Sequence, residues 1–201
     1  VEREGMSETG MNFSNPLHAE KKPGSIGLPL PGLEVRIVDP ESFLDVEHGQ
    51  VGEFWLNSDS ISPGYWRKTS ETKKTFEQGW FRTGDLGKKD EEGYFYLTDR
   101  LKNIIITGGE NVSPNEVEAV IGKLDDVVES SVVGIVDEKW GEKIVAAVVK
   151  RLGAGDLTGA IKDICREHLH DWKCPKDVVF VEKLPKNTMG KILKEEIKRL
   201  F

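Results

Sequence analysis

The spacing of apolar positions changes along this chain. Leu33 to Asp39 (LEVRIVD) alternates apolar and polar residues, the period of a half-buried strand, and Val51 to Ser58 (VGEFWLNS) reads the same way. DEEGYFYLTDR places a turn at Glu92-Gly93 ahead of another strand, and Pro23-Gly24, Pro31-Gly32 and Pro63-Gly64 punctuate the intervals. No apolar stripe at helical spacing of convincing length precedes residue 110; only a short turn is expected near Ser70 to Phe76. The first half therefore reads as a β-rich subdomain, twisted and barrel-like in a distorted way.

The pattern shifts at about Leu101. SPNEVEAVIGKL offers Ser113 as N-cap, Pro114 at the first helical position and Glu116 to complete a capping box. Val117, Val120, Ile121 and Leu124 then form a helical stripe. VVESSVVGIV, EKIVAAVVKR and KDVVFVEKL read as strands, and LTGAIKDICREHL as a helix with Leu157, Ile161, Ile164 and Cys165 on one side. The closing LPKNTMGKILKEEIKRL reads as an amphipathic helix opening at Lys191, just after Gly190. A cation there meets the positive end of the helix dipole, which local physics mildly disfavours. The fold class is α+β: a β-rich subdomain over 1–100, then a small α+β domain over 101–201 with a short sheet flanked by helices. TDRLKN (98–103) is the charged connection between them.

Composition narrows the function. The 201 residues are 37% hydrophobic and 31% charged, ordinary for a globular protein, and carry a net charge of -7. That sign disfavours nucleic acid as a partner. No apolar run reaches the roughly 20 residues of a membrane-spanning helix. Two cysteines, Cys165 and Cys174, lack metal-ligand spacing, which points to inert thiols in a reducing, cytoplasmic setting. VEREGMSETG reads as the middle of a longer chain, so a fragment missing its N-terminal portion is expected.

Several stretches carry candidate chemistry. A nucleotide P-loop is ruled out: ahead of Gly190-Lys191 the first glycine position is Pro185, and Ile192 follows where a hydroxyl is required. In GWFRTGDLG, Asp85 stands on a Gly turn where a carboxylate can accept hydrogen bonds from two ribose hydroxyls, although Gly-Asp turns are also common in plain hairpins. Gly108-Gly109 lets backbone approach a ligand closely or simply makes a turn. Trp140, in DEKWGE, is an aromatic on a surface loop, and the four histidines form no triad or ligand pattern.

Taken in order, GMSETG, GEFWL, WFRTGDLG, DRLKNIIITGGENVSPNEVE and PKNTMGK resemble the later motifs of the adenylate-forming acyl-CoA synthetases, the superfamily of luciferases and nonribosomal peptide adenylation domains. The resemblance covers essentially the whole chain. It implies that Ser7 and Glu8 face the phosphates of ATP, with Glu8 helping to hold Mg²⁺. It implies that Asp85 binds the ribose hydroxyls of ATP or AMP and that Arg100 also reaches the nucleotide. Lys102 falls at the hinge about which the C-terminal domain swings. Gly108 and Gly109 match the turn lining the pantetheine channel for coenzyme A, and Trp140 an aromatic near the CoA path. Lys191 matches the lysine that contacts both the acyl carboxylate and the α-phosphate.

Two departures stand out. Many members place an aromatic that stacks on adenine where this chain has Glu4, and the Ser/Thr/Gly-rich phosphate loop of the family does not occur in these 201 residues. The isolated chain is accordingly expected to be inactive. GMSETGMNFSNP followed by KKPGSIGLPLPG looks most like malonyl-CoA synthetases, so the small carboxylic acid is expected to be malonate or a related short acid. A medium- or long-chain fatty acid, a noncatalytic nucleotide- or partner-binding module, and, less favoured, a carrier-protein adenylation domain are the alternatives.

Overall fold

The computed structural model, which describes residues 2–201, begins with a tight antiparallel pair, Arg3–Met6 (β1) and Gly10–Ser14 (β2), with Leu28–Pro29 (β3) added beside β2. A five-stranded sheet follows. Glu34–Val38 (β4) pairs with Gly52–Asn57 (β5), and the helix Thr69–Thr75 (α1) leads into Phe76–Glu77 (β6). Trp80–Lys89 (β7) lies between β5 and β6, and Phe95–Arg100 (β8) also pairs with β7. Both sheets are open, and the described residues form no closed barrel.

Aromatic burial joins these sheets. Phe13 of β2 packs on Phe95 of β8 with ring centroids 4.9 Å apart, and Phe54 meets Phe95 edge-on at 5.5 Å. Such tilted pairs add to the apolar burial that drives the packing. The backbone supports the junction, since Ile26 N–H donates to Phe95 O and Phe95 N–H to Gly27 O, each at 2.9 Å. This unit extends to Lys102, within the 3₁₀ turn Leu101–Asn103; the second compact unit runs from Asn103 to Phe201.

In the second unit Ile105–Thr107 (β9) and Glu110–Val112 (β10) make a hairpin, and Pro114–Ile121 (α2) follows. Ser113 Oγ accepts from Glu116 N–H at 3.4 Å, the expected cap. In the long hairpin Val127–Asp137 (β11) and Gly141–Lys150 (β12), β12 is the central strand, pairing also with β9; Thr158–His168 (α3) comes next, and Asp177–Phe180 (β13) runs parallel to β12. Lys194–Lys198 (α4) closes the chain. Val132, Ile144, Ala146 and Val148 pack with residues of α2 and α3, whereas Val133, Val145 and Ala147 pack with Leu184 and Ile197. Burial on both faces explains why these strands read as continuous apolar runs rather than alternation.

The terminal helix departs from the expectation. It starts at Lys194, and Lys191 lies in a loop before it. Turn chemistry overrides helix propensity here: Asn187 forms an Asx-type turn and Gly190 adopts φ +82°.

Candidate active site

Asp85 does not sit on a turn between strands, as the Gly-Asp pair suggested, but inside β7 at a bulge. Trp55 of β5 faces Arg82 and Glu53 faces Leu86, so Thr83, Gly84 and Asp85 together oppose Phe54. Extra residues on one strand bend it and re-aim side chains. Gly84 takes φ +70°, which a side chain would strain. Thr83 Oγ1 donates to Phe54 O at 2.8 Å and accepts from Asp85 N–H at 3.0 Å.

Glu53, which sequence reasoning passed over, braces this bulge. It is only 2% exposed, and Oε1 accepts from Gly84 N–H at 3.0 Å. Oε2 accepts from the Trp55 indole at 2.9 Å and from Arg82 Nη2 at 3.2 Å. A buried carboxylate is tolerable only with such a set of donors. The available signal was a charge at an interior position of GEFWL.

Arg100 of β8 lies directly opposite Asp85 of β7, and its Nε donates to Asp85 Oδ1 at 2.7 Å. Arg100 also lines a groove of about 350 Å³ with Thr83, Gly84, Leu101 and the exposed Lys102. Glu4 is electrostatically coupled to the same pair. Burial is the main cause that pushes its carboxyl above the ordinary range; the Asn12 amide, donating to Oε2 at 3.0 Å, opposes this, the Asp85 charge adds to it and Arg100 counters.

Ser7 and Glu8 occupy the β1–β2 turn, Ser7 exposed and Glu8 half-buried. The Tyr65 hydroxyl donates to Glu8 Oε1 at 3.0 Å, and Ser62 N–H to Glu8 O at 2.8 Å, which fixes the residue from two sides. No group of three or more His, Cys, Asp or Glu side chains among the described residues could hold a metal ion. A single oriented carboxylate still fits Mg²⁺ that travels with a nucleotide, because that ion takes one or two carboxylates and draws its other ligands from phosphates and water.

In the second unit Gly108 and Gly109 form the two-residue turn between β9 and β10, with φ +59° and +86°. Positive φ at both positions is the requirement of a type I′ hairpin turn. Trp140 lies against Gly108: Gly108 N–H donates to Trp140 O at 2.8 Å, and a Cβ on Gly108 would sit 3.4 Å from the indole. Lys176 and Lys139 stack their ammonium groups on the Trp140 ring at 5.2 and 4.9 Å. Gly108, Gly109 and Trp140 are thus one cluster, while Lys191 stands exposed on a separate loop.

The chain as a whole is similar to known proteins. Residues 4–66 match the family model of the AMP-binding enzymes, and residues 116–191 that of the AMP-binding enzyme C-terminal domain. The chain belongs to the AMP-binding enzyme family. It is 41% identical over 200 residues to a 2-succinylbenzoate–CoA ligase of Listeria innocua serovar 6a, a match covering 98% of this chain and 40% of that protein. It is 42% identical over 183 residues to the long-chain-fatty-acid–CoA ligase FadD13 of Mycobacterium tuberculosis, covering 91% and 36%. The crystal structure of ATP-bound MatB from Rhodopseudomonas palustris superposes with a TM-score of 0.94 at 40% identity, covering 98% of this chain and 40% of that one. The chain thus spans about two fifths of the length of these relatives. Among the described residues no helix is long and apolar enough to cross a membrane.

Proposed function

We propose that these 201 residues are the C-terminal part of an AMP-forming acid–CoA ligase. The observation that carries this reading is the Asp85–Arg100 pair, held at a braced bulge and bordering a groove. A fixed carboxylate can accept hydrogen bonds from both ribose hydroxyls, and Arg100 can turn from Asp85 toward a phosphate. The ATP-bound relative supports a nucleotide as the ligand.

The reaction proceeds in two steps. A carboxylate oxygen of the acid attacks the α-phosphorus of ATP, and the bond to pyrophosphate breaks. The thiol of coenzyme A then attacks the acyl carbonyl, and AMP leaves. Lys191 lowers the electrostatic cost of the first step by contacting both anions, a task suited to a compact charge on a flexible stem. Ser7 orients phosphate oxygens, and Glu8 would hold Mg²⁺, which when bound supplies positive charge to the departing pyrophosphate. The Gly108-Gly109 turn and Trp140 border the path of the thiol in the second step. Lys102 serves as the hinge that exchanges the two arrangements between steps.

Malonate or a related short acid is the favoured substrate, on the likeness of GMSETGMNFSNP to malonyl-CoA synthetases. A long-chain fatty acid is the second reading, favoured by the 42% identity to a ligase named for that substrate. Acid-dependent ATP–pyrophosphate exchange by the whole protein, with malonate, succinate, an aryl acid and a C16 fatty acid, tests both. Exchange with malonate alone supports the first, exchange with the fatty acid alone the second, and exchange with none refutes the ligase. Free CoA against a phosphopantetheinyl carrier as thiol acceptor separates this enzyme from a carrier-dependent adenylation domain.

A further inference from the structure

Lys191 is an exposed side chain on a loop tip, yet its backbone is tied down from several directions. The residue responsible is Asn187. Asn187 N–H donates to Lys191 O at 2.9 Å, and Asn187 Oδ1 accepts from Lys191 N–H at 2.9 Å. The same Oδ1 accepts from Met189 N–H at 3.0 Å, and Asn187 O accepts from Gly190 N–H at 2.9 Å. One residue therefore makes four hydrogen bonds to a five-residue loop, two of them to Lys191 itself. An Asn at a turn ordinarily bonds the backbone two residues on, as Asn187 does with Met189. The bond to Lys191 N–H, four residues on, exceeds what the turn requires.

The base of the loop is anchored and its tip is bare. Lys186 and Ile192 form a bridge, and Leu193 N–H donates to Pro185 O at 2.9 Å. Leu184 and Ile197 are buried in the core beside Val133, Val145 and Ala147, with Ile192 packed against them, and Lys186 is ion-paired with Glu129 at 2.6 Å. Met189 at the tip is 90% exposed, and nothing within 4 Å would meet a Cβ on Gly190. The loop thus contributes little to the core, and its internal bonds serve mainly to fix its own shape. A lysine side chain carries considerable rotamer entropy, so aiming its ammonium at a ligand starts with a fixed Cα.

We infer that Asn187 is a positioning residue for Lys191: its side chain sets the backbone from which the ammonium reaches the reacting carboxylate and phosphate. This inference rests on the reading of Lys191 in adenylation given above. Small misplacements of a positioned group cost up to about a hundredfold in rate, so a loss of roughly ten- to a hundredfold is expected when the acceptor is removed.

The test uses the whole protein, in Asn187→Ala, Asn187→Asp and Lys191→Ala forms, each assayed in both half-reactions. Asn187→Ala should lower kcat for pyrophosphate exchange about ten- to a hundredfold, with the KM for ATP, the melting temperature and thioester formation from preformed acyl-adenylate all held. Asn187→Asp keeps an oxygen acceptor for both N–H groups and should restore most of the exchange rate. Exchange unchanged in Asn187→Ala, equal loss in both half-reactions, or no rescue by Asp would overturn the inference. Lys191→Ala separates the two levels: if it leaves exchange intact, the catalytic reading of Lys191 falls as well, whereas its loss beside a normal Asn187→Ala refutes the positioning role alone.

Discussion

Arg100 donates from Nε to Asp85 Oδ1 at 2.7 Å across directly opposed positions of two neighbouring strands, and the two side chains differ in exposure, 42% against 10%. The carboxylate is the buried, fixed member and the guanidinium the outer, movable one. A ligand entering the groove beside Arg100 can take over part of that guanidinium's hydrogen bonding while Asp85 stays in place. Two anchors hold Asp85: the strand pairing, and the bulge pinned by Glu53 and Thr83.

Replacement of Asp85 by Ala should therefore weaken nucleotide binding strongly. Hydrogen bonds to a charged acceptor are worth about 1.5–3 kcal/mol each, so losing even one raises the KM for ATP roughly ten- to a hundredfold. Arg100→Ala should have a smaller effect on KM and a larger one on the exchange rate. ATP titrations of pyrophosphate exchange measure both, and an Asp85→Ala enzyme with unaltered KM would remove the ribose role.

Glu4 stands where the resemblance to acyl-CoA synthetases leads one to expect an adenine-stacking aromatic. Its carboxyl is held above the ordinary range chiefly by burial. A raised folded-state value means that this group contributes stability at low pH, below its unfolded value, and that the contribution is lost as pH rises through the folded value. Glu4→Gln keeps an oxygen acceptor for the Asn12 amide and removes the titration, so its gain in melting temperature over the parent should be larger at pH 7 than at pH 4. Glu4→Tyr should also tighten ATP binding by about tenfold if the ring stacks on adenine, base–aromatic stacking being worth about 1–3 kcal/mol. Melts at the two pH values and an ATP titration decide these points separately.

Much of the second unit could be read from the chain because its signals are local and agree. Ser113-Pro114 starts α2, and the apolar runs that flank DEKWGE become the β11–β12 hairpin. The start of α4 was misread because a periodic apolar pattern after Gly190 says nothing about Asn187, whose side chain claims the intervening amides. In the first unit, the sequence singles out Asp85 as a candidate but does not show its setting. A bulge is a mismatch between two strands some 30 residues apart, and neither strand shows it alone. Glu53 escaped for a related reason: its partners Arg82 and Gly84 reach it only through the register of β5 against β7.

Removing the Glu53 carboxylate should destabilise the first unit and disturb the site together. Glu53→Ala leaves the Trp55 indole, the Gly84 amide and the Arg82 guanidinium without the acceptor they share. Breaking a buried pair in this way costs about 3–5 kcal/mol, near the lower end here because Arg82 keeps partial access to water. Denaturant melts should register that loss. Glu53→Gln should lose less stability, since one amide oxygen can still serve Gly84, while raising the KM for ATP; a Gln variant with native KM would show that the bulge holds Asp85 without the charge.

Asp90 gives the first unit a specific acid sensitivity. Its carboxyl is lowered to about 2, first by the hydrogen bond from Lys22 and then, against some desolvation, by the Tyr94 amide and the Tyr96 hydroxyl. Lys22 Nζ lies 2.7 Å from Asp90 Oδ2 and 2.8 Å from Glu92 Oε1, so the pair ties the segment after β2 to the turn between β7 and β8. A depressed folded-state value means that the contribution is fully present above the unfolded value of about 3.9 and is lost as pH falls from there through about 2. Asp90→Asn should lower the melting temperature at pH 5 to 7 and should flatten the acid limb between about pH 4 and 2, where the parent loses what the variant never had. Melting curves of both proteins across that range should converge at the acid end; a constant offset at every pH would mean that Asp90 acts through the shape of its turn and not through its charge.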